Sequence, residues 1–245
     1  MGKTLFETIG HRLGQKAAQA RNAFDIMGGT AEDSLRAEIR LGRNLAEAML
    51  QRVPLIEENE TTKFAAEIGR WLAAHIKEKK LPFNVLVTAE PDLNAIALPG
   101  GPVFVSWPLL DICHGERDRI AFVIGHEMAH IVRRHALDRI VKDAALSLLF
   151  RQVSGKHAAS AWLNKAQELL TGAYSKDDEF EADTFALALV ETAGGDASAG
   201  QHFLEELADQ FSRSASLRQG YFSTHPPLLE RISNLPKGSV PHIRK

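Results

Sequence analysis

A single cysteine, Cys113, occurs in 245 residues, which excludes an internal disulfide framework. Standing outside every motif, it reads as a small buried apolar residue. An excess of one charge is also missing. With 29 basic against 31 acidic side chains and a formal net charge of -2, the chain carries no electrostatic footprint for nucleic acid and no marked attraction to anionic membrane surfaces. No stretch approaches the roughly 20 apolar residues that cross a bilayer, because proline, glycine or charge interrupts each candidate. Met1 to Glu7 lacks the apolar core of a signal peptide, so the expectation is a soluble chain with no membrane span. Internal repeats and low-complexity runs are absent, and the length suits one substantial domain.

Against these absences stands His126-Glu127-Met128-Ala129-His130, inside the apolar run from Ala121 to Val132. Residues four apart on a helix lie one above the other, so both imidazoles can reach a single ion. Two neutral imidazoles and a third protein ligand hold zinc while water keeps the fourth position. A carboxylate beside the first histidine, Glu127, can take the proton of that water and later pass it to a leaving amine. The bland alternative is an ordinary helix with metal-free, hydrogen-bonded histidines. A helix apolar at Phe122, Val123, Ile124, Met128, Ile131 and Val132 leaves little water-facing surface for three polar side chains together.

The third ligand separates the possibilities. His135 follows His130 by five residues and points well around the helix from the pair, which suits a supporting role better than ligation. Downstream, Lys176 to Val190 reads as a helix with an acidic first turn. Glu179 and Asp183 share a face there, able to supply a zinc ligand and a carboxylate that accepts the free ring N–H of a ligating histidine. Glu181 projects nearly opposite, towards solvent. Taken alone, the same cluster could be no more than a negative helix start favourable to the macrodipole.

Three segments in this order, His126 to His130, Glu179-Phe180-Glu181-Ala182-Asp183, and Ser223-Thr224-His225-Pro226-Pro227-Leu228-Leu229-Glu230-Arg231-Ile232, resemble the M48 zinc metallopeptidases, a gluzincin group. The likeness runs from about Arg52 to Leu235 and is nearest the branch with soluble bacterial envelope members and a mitochondrial inner-membrane protease. The resemblance implies His126, His130 and Glu179 as ligands of one zinc ion, Glu127 as general base and acid, and Asp183 behind a ligating histidine. It also implies a minigluzincin-like α+β domain acting on polypeptides, with the periplasm or cell envelope as its place and the cytoplasm as the alternative.

Two further segments gain meaning from it. Asn94 to Val105 reads as two short β segments around a Pro-Gly-Gly turn. By resemblance, Asn94 and Ala95 begin an edge strand that pairs with an extended substrate, the alternative being a plain hairpin. His225, followed by two prolines, marks a loop into a short helix. By resemblance it stands near the substrate and stabilises an oxyanion, the alternative being a histidine with no catalytic part. Arg231 could pair with a site carboxylate or lie on the surface.

Periodicity divides the chain into an N-terminal helical arm over 1–50, interrupted at Gly28-Gly29-Thr30, and a peptidase-like domain over 51–245. A helix is expected over about Thr61 to Lys79 with Phe64, Ala65, Ile68, Leu72 and Ile76 buried, ending in Lys77, Lys79 and Lys80. Strands follow at Val85 to Ala89 and across Ala95 to Val105, giving a small antiparallel sheet under the active helix, in a mostly helical α+β fold. The segment from Phe211 to Thr224 lacks periodicity and reads as a lid. The functional expectation is a zinc endopeptidase for extended or misfolded polypeptides. A peptide-binding chaperone or assembly factor is the alternative from another class, separable by chelator-sensitive cleavage of an unfolded protein. A purely structural zinc site is disfavoured, since such sites close with four protein ligands and are rich in cysteine.

Overall fold

Strands β1 (Asn84–Thr88), β2 (Ala95–Ala97) and β3 (Pro102–Ser106) form one sheet in the computed structural model, which describes residues 30–76, 81–140, 172–213, 225 and 228–236. Side chains alternate between the two faces of a sheet, and here both faces are apolar. Val85, Val87, Ala95, Ala97, Val103 and Val105 join the larger core on one side. Leu86, Ile96 and Phe104 join a second cluster on the other, with Leu41, Leu45, Ala46 and Met49. The sheet is therefore a middle layer between helices.

β2 runs antiparallel to β3, with Ile96 opposite Phe104, while β1 runs parallel to β3 with Leu86 opposite the same phenylalanine. The strand order β1-β3-β2 makes the sheet mixed where an antiparallel one was expected. Reading strand by strand takes neighbours in sequence as neighbours in space, whereas β3 inserts between β1 and β2. The α+β class stands, with helix predominating.

Helix α1 (Ala31–Leu50) opens on a capping box between Thr30 and Asp33 and lays Leu41, Leu45 and Met49 over the second sheet face. It docks on the turn between β2 and β3 through glycine at both surfaces. A Cβ on Gly42 would lie 1.7 Å from the Pro99 carbonyl oxygen, and one on Gly100, whose φ is +81°, would lie 2.6 Å from Ile39 Cα. The remainder of the expected arm, before residue 30, lies outside the described residues.

Helix α2 (Glu60–Ala73) is capped by Asn59 and buries Ala65, Ile68 and Leu72 as its spacing predicts. It ends at Ala73, six residues before the expected Lys79, and Lys77, Lys79 and Lys80 lie outside the described residues. The short α3 (Trp107–Asp111) leads into α4 (Arg117–Val132), in which every residue from Ile120 to Val132 is buried. A helix apolar on all sides must be enclosed on all sides. The valine face of the sheet lies beneath α4, and α2, α5 (Lys176–Thr192) and α6 (Ser198–Arg213) surround it. The last described helix, α7 (Leu228–Asn234), packs on α5 and α6. Among the described residues no helix is long and apolar enough to cross a membrane.

Replacing Gly42 by Ala tests the docking of α1. Helix propensity alone would favour alanine by about 0.8–1 kcal/mol, but the clash with Pro99 should turn the change into a loss of about 1–3 kcal/mol, read as a lower urea midpoint. A stabilised variant would show that α1 does not rest on the turn.

Candidate metal centre

Enclosure of α4 removes its histidines from water, and the packing of α5 against it supplies their neighbours. His126 and His130 are one turn apart with Nε2 atoms separated by 3.1 Å. Glu179 enters from the first turn of α5, which Ser175 and Asp178 close with a capping box. Its Oε2 lies 3.4 Å from His126 Nε2 and its Oε1 lies 3.4 Å from His130 Nε2. All three side chains are at most 1% exposed.

These separations test whether a metal fits. Ligand atoms about 2.0–2.2 Å from a zinc ion stand about 3.3 Å apart in a tetrahedron, which the three distances approach. Two nitrogens and a carboxylate are donors of the right chemistry, and their common focus is the arrangement such an ion requires. His225 joins them: its Nδ1 lies 2.9 Å from both carboxylate oxygens of Glu179, and the four residues offer donor atoms within 4.8 Å of one another. Where the sequence offered three plausible ligands, the fold brings a fourth donor to the cluster. The neighbouring prolines, and the 214–224 part of the segment read as a lid, lie outside the described residues.

Each α4 imidazole is held from behind. His126 Nδ1 lies 2.9 Å from Asp183 Oδ1, and Arg231 of α7 grips the same carboxylate with both arms, Nε donating to Oδ2 at 2.8 Å and a terminal nitrogen donating to Oδ1. Of the two readings left open for Arg231, the fold selects the carboxylate partner: the side chain is 0% exposed. His130 Nδ1 meets His135 Nδ1 at 2.9 Å, and its ring stacks on Tyr174 with centroids 3.9 Å apart. Sequence reading passed over Tyr174. Its one signal was position, an aromatic directly before the helix cap Ser175, where a large apolar group folds back on its helix.

Glu127 is buried, with Oε1 3.7 Å from His225 Nε2. Burial pushes its carboxyl above the ordinary value against the pull of His225 and His126. Glu179 is also pushed up by burial, but His225, His126 and His130 together outweigh this and hold it well below the usual range. Asp183 is held down, despite burial, by Arg231 and His126. The imidazoles diverge. Burial pushes His130 down to about 3, while His126, opposed by burial and by Arg231, is lifted to about 9 by Asp183 and Glu179. Two ring nitrogens 3.1 Å apart need a proton or a cation between them, and a divalent cation at their focus would leave both rings neutral.

Asn94 stands just before β2 and Ala95 begins it. The Asn94 carbonyl accepts from Ser106 N–H at 2.8 Å and the Asn94 N–H donates to Ser106 Oγ at 2.9 Å. Antiparallel pairs alternate, so the backbone groups of Asn94 face β3 while those of Ala95 and Ala97 face the outer edge. Cys113 is buried, as expected.

The family model for peptidase family M48 matches residues 59–238. The beta-barrel assembly-enhancing protease of Escherichia coli (strain K12) is 27% identical over 240 residues, 91% of this chain and 49% of the relative. The mitochondrial metalloendopeptidase OMA1 of Schizosaccharomyces pombe is 30% identical over 183 residues, covering 71% of this chain and 52% of that protein. The metalloprotease YcaL of Escherichia coli (strain K12) is 28% identical over 179 residues, covering 71% and 68%. The chain spans about half the length of the beta-barrel assembly-enhancing proteases it matches.

Arg231→Leu should strand the buried Asp183 carboxylate and cost about 3–5 kcal/mol in urea unfolding of the metal-free chain at neutral pH. Asp183 is held below its ordinary value, so its share of stability is present above about pH 4 and fades as pH falls further. The gap between wild type and variant should therefore close in acid, and a gap unchanged down to pH 2 would contradict the pairing.

Proposed function

This chain belongs to peptidase family M48, and we propose that it is a zinc-dependent metalloendopeptidase in which His126, His130 and Glu179 hold the ion. The observation that carries this reading is the buried triangle of two imidazoles and one carboxylate with spacings of 3.1, 3.4 and 3.4 Å, with Glu127 next to it in sequence. When bound, the ion supplies Lewis acidity and a water whose pKa falls to about 7.

The remaining chemistry belongs to side chains. Glu127 takes a proton from the attacking water at its carboxylate and returns it to the departing amine nitrogen. A carboxyl raised by its buried setting releases that proton less readily than an exposed one and so can carry it between the two steps. Asp183 accepts the Nδ1–H of His126, which leaves the Nε2 lone pair for the ion, and Arg231 keeps that carboxylate ionised and oriented. His225 Nε2, on the Glu127 side of the cluster, donates to the oxyanion that forms on the peptide carbonyl. This requires the His225 ring to serve the substrate rather than close the centre as a permanent fourth ligand.

The substrate lies extended along the edge strand that Asn94 and Ala95 begin. Main-chain pairing of this kind accepts many sequences, which suits extended or misfolded polypeptides. The names of two relatives mention beta-barrel assembly and mitochondria, and we assign this chain to quality control in a cell envelope.

Glu127→Gln should retain one zinc per chain while cleavage of unfolded casein falls by about 10²–10⁴-fold. Chelation should abolish the wild-type reaction, and readdition of zinc should restore it. A Glu127→Gln chain with undiminished turnover would overturn the assignment. Zinc-independent suppression of aggregation without cleavage would favour a peptide-binding chaperone instead.

A further inference from the structure

Helix α4 ends at Val132, and two residues later Arg134 adopts a left-handed backbone with φ 62° before the chain becomes helical again over 135–140. On an uninterrupted helix His135 would sit some 140° around the axis from His130. The break at Arg134 instead turns the next residue back beneath the cluster, bringing His135 Nδ1 to 2.9 Å from His130 Nδ1. A bulky residue in the left-handed region is uncommon and is held there by its surroundings. Here the Arg134 guanidinium reaches the Glu38 carboxylate of α1 at 3.1 Å, and Glu38 is completely buried.

A contact between two ring nitrogens needs one proton and one lone pair. If His130 gives its Nε2 lone pair to an ion, its proton resides on Nδ1, and His135 Nδ1 must be the acceptor. The His135 proton then lies on Nε2, which faces Glu181 Oε2 at 3.4 Å and Asp178 Oδ1 at 3.6 Å. Both acids belong to α5, the helix that also supplies Glu179. Glu181 is fixed from its other side by Arg133, 2.9 Å away.

We infer that His135 is a positioning residue for the metal ligand His130: its Nδ1 accepts the His130 N–H, and its own Nε2–H is oriented by Glu181 and Asp178. The two ligand imidazoles of one helix are thus supported by different chemistry, a carboxylate behind His126 and an imidazole backed by carboxylates behind His130. His135 takes no part in ligation, because it meets the ring edge opposite the cluster. The inference rests on the reading of His130 as a ligand.

The test is zinc affinity of the purified full chain, measured by competition with a chromophoric chelator, for wild type, His135→Phe, His135→Asn and His130→Ala. His135→Phe keeps a ring without an acceptor and should weaken binding by about 10–100-fold, with the metal-free thermal midpoint as the check on folding. His135→Ala replaces it should the larger ring not be accommodated. His135→Asn, whose carboxamide oxygen can accept from His130, should recover most of the loss, and the cobalt(II) absorption bands of the Phe variant should shift while those of the Asn variant return towards wild type. Wild-type affinity in His135→Phe, with binding lost in His130→Ala, would overturn the inference and leave the metal centre standing. Equal weakening in the Phe and Asn variants would also overturn it. Failure of the wild-type chain to take up zinc at all would instead remove the ligand reading beneath it.

Discussion

Seven ionisable residues, His126, Glu127, His130, Glu179, Asp183, His225 and Arg231, lie together with none more than 1% exposed. Removing such groups from water costs several kcal/mol apiece unless each charge is met by another. Every local feature of the site answers that requirement. Asp183 is met by Arg231 and by His126, and Glu179 by three imidazoles. The acidic first turn of α5 gains from the helix macrodipole as well. A divalent cation at the cluster would complete this compensation, with both imidazoles neutral.

The rest of the fold buries that cluster. α4 is enclosed by the sheet, by three helices and by the α7 residues that reach Asp183. The sheet gains its rigidity from being covered on both faces, by α4 on the valine side and by α1 on the side of Ile96 and Phe104. The same covering fixes β2 beside α4. Tyr174 belongs to both regions: it is part of the second apolar cluster and its ring lies flat against His130.

Features carried by local spacing were legible in the sequence. The pairs His126 with His130 and Glu179 with Asp183 each follow from a repeat of four on a helix, and the Pro99-Gly100-Gly101 turn follows from residues that admit positive φ. The buried stripe of α2 is equally local. What could not be read depends on meetings between distant segments. No periodicity shows that Arg231 is swallowed by the core, that β3 inserts between β1 and β2, or that Tyr174 lies on His130. His135 is the instructive intermediate: an ideal helix turns it away from the pair, but its contact with His130 depends on a helix break that Arg134 does not announce.

The bidentate grip of Arg231 on Asp183 joins positions 48 residues apart, and the imidazole it steadies lies 105 residues before it in the chain. During synthesis, the HExxH helix leaves the ribosome long before its last buttress. A nascent polypeptide halted anywhere short of α7 would carry the HExxH motif without the arginine that grips Asp183.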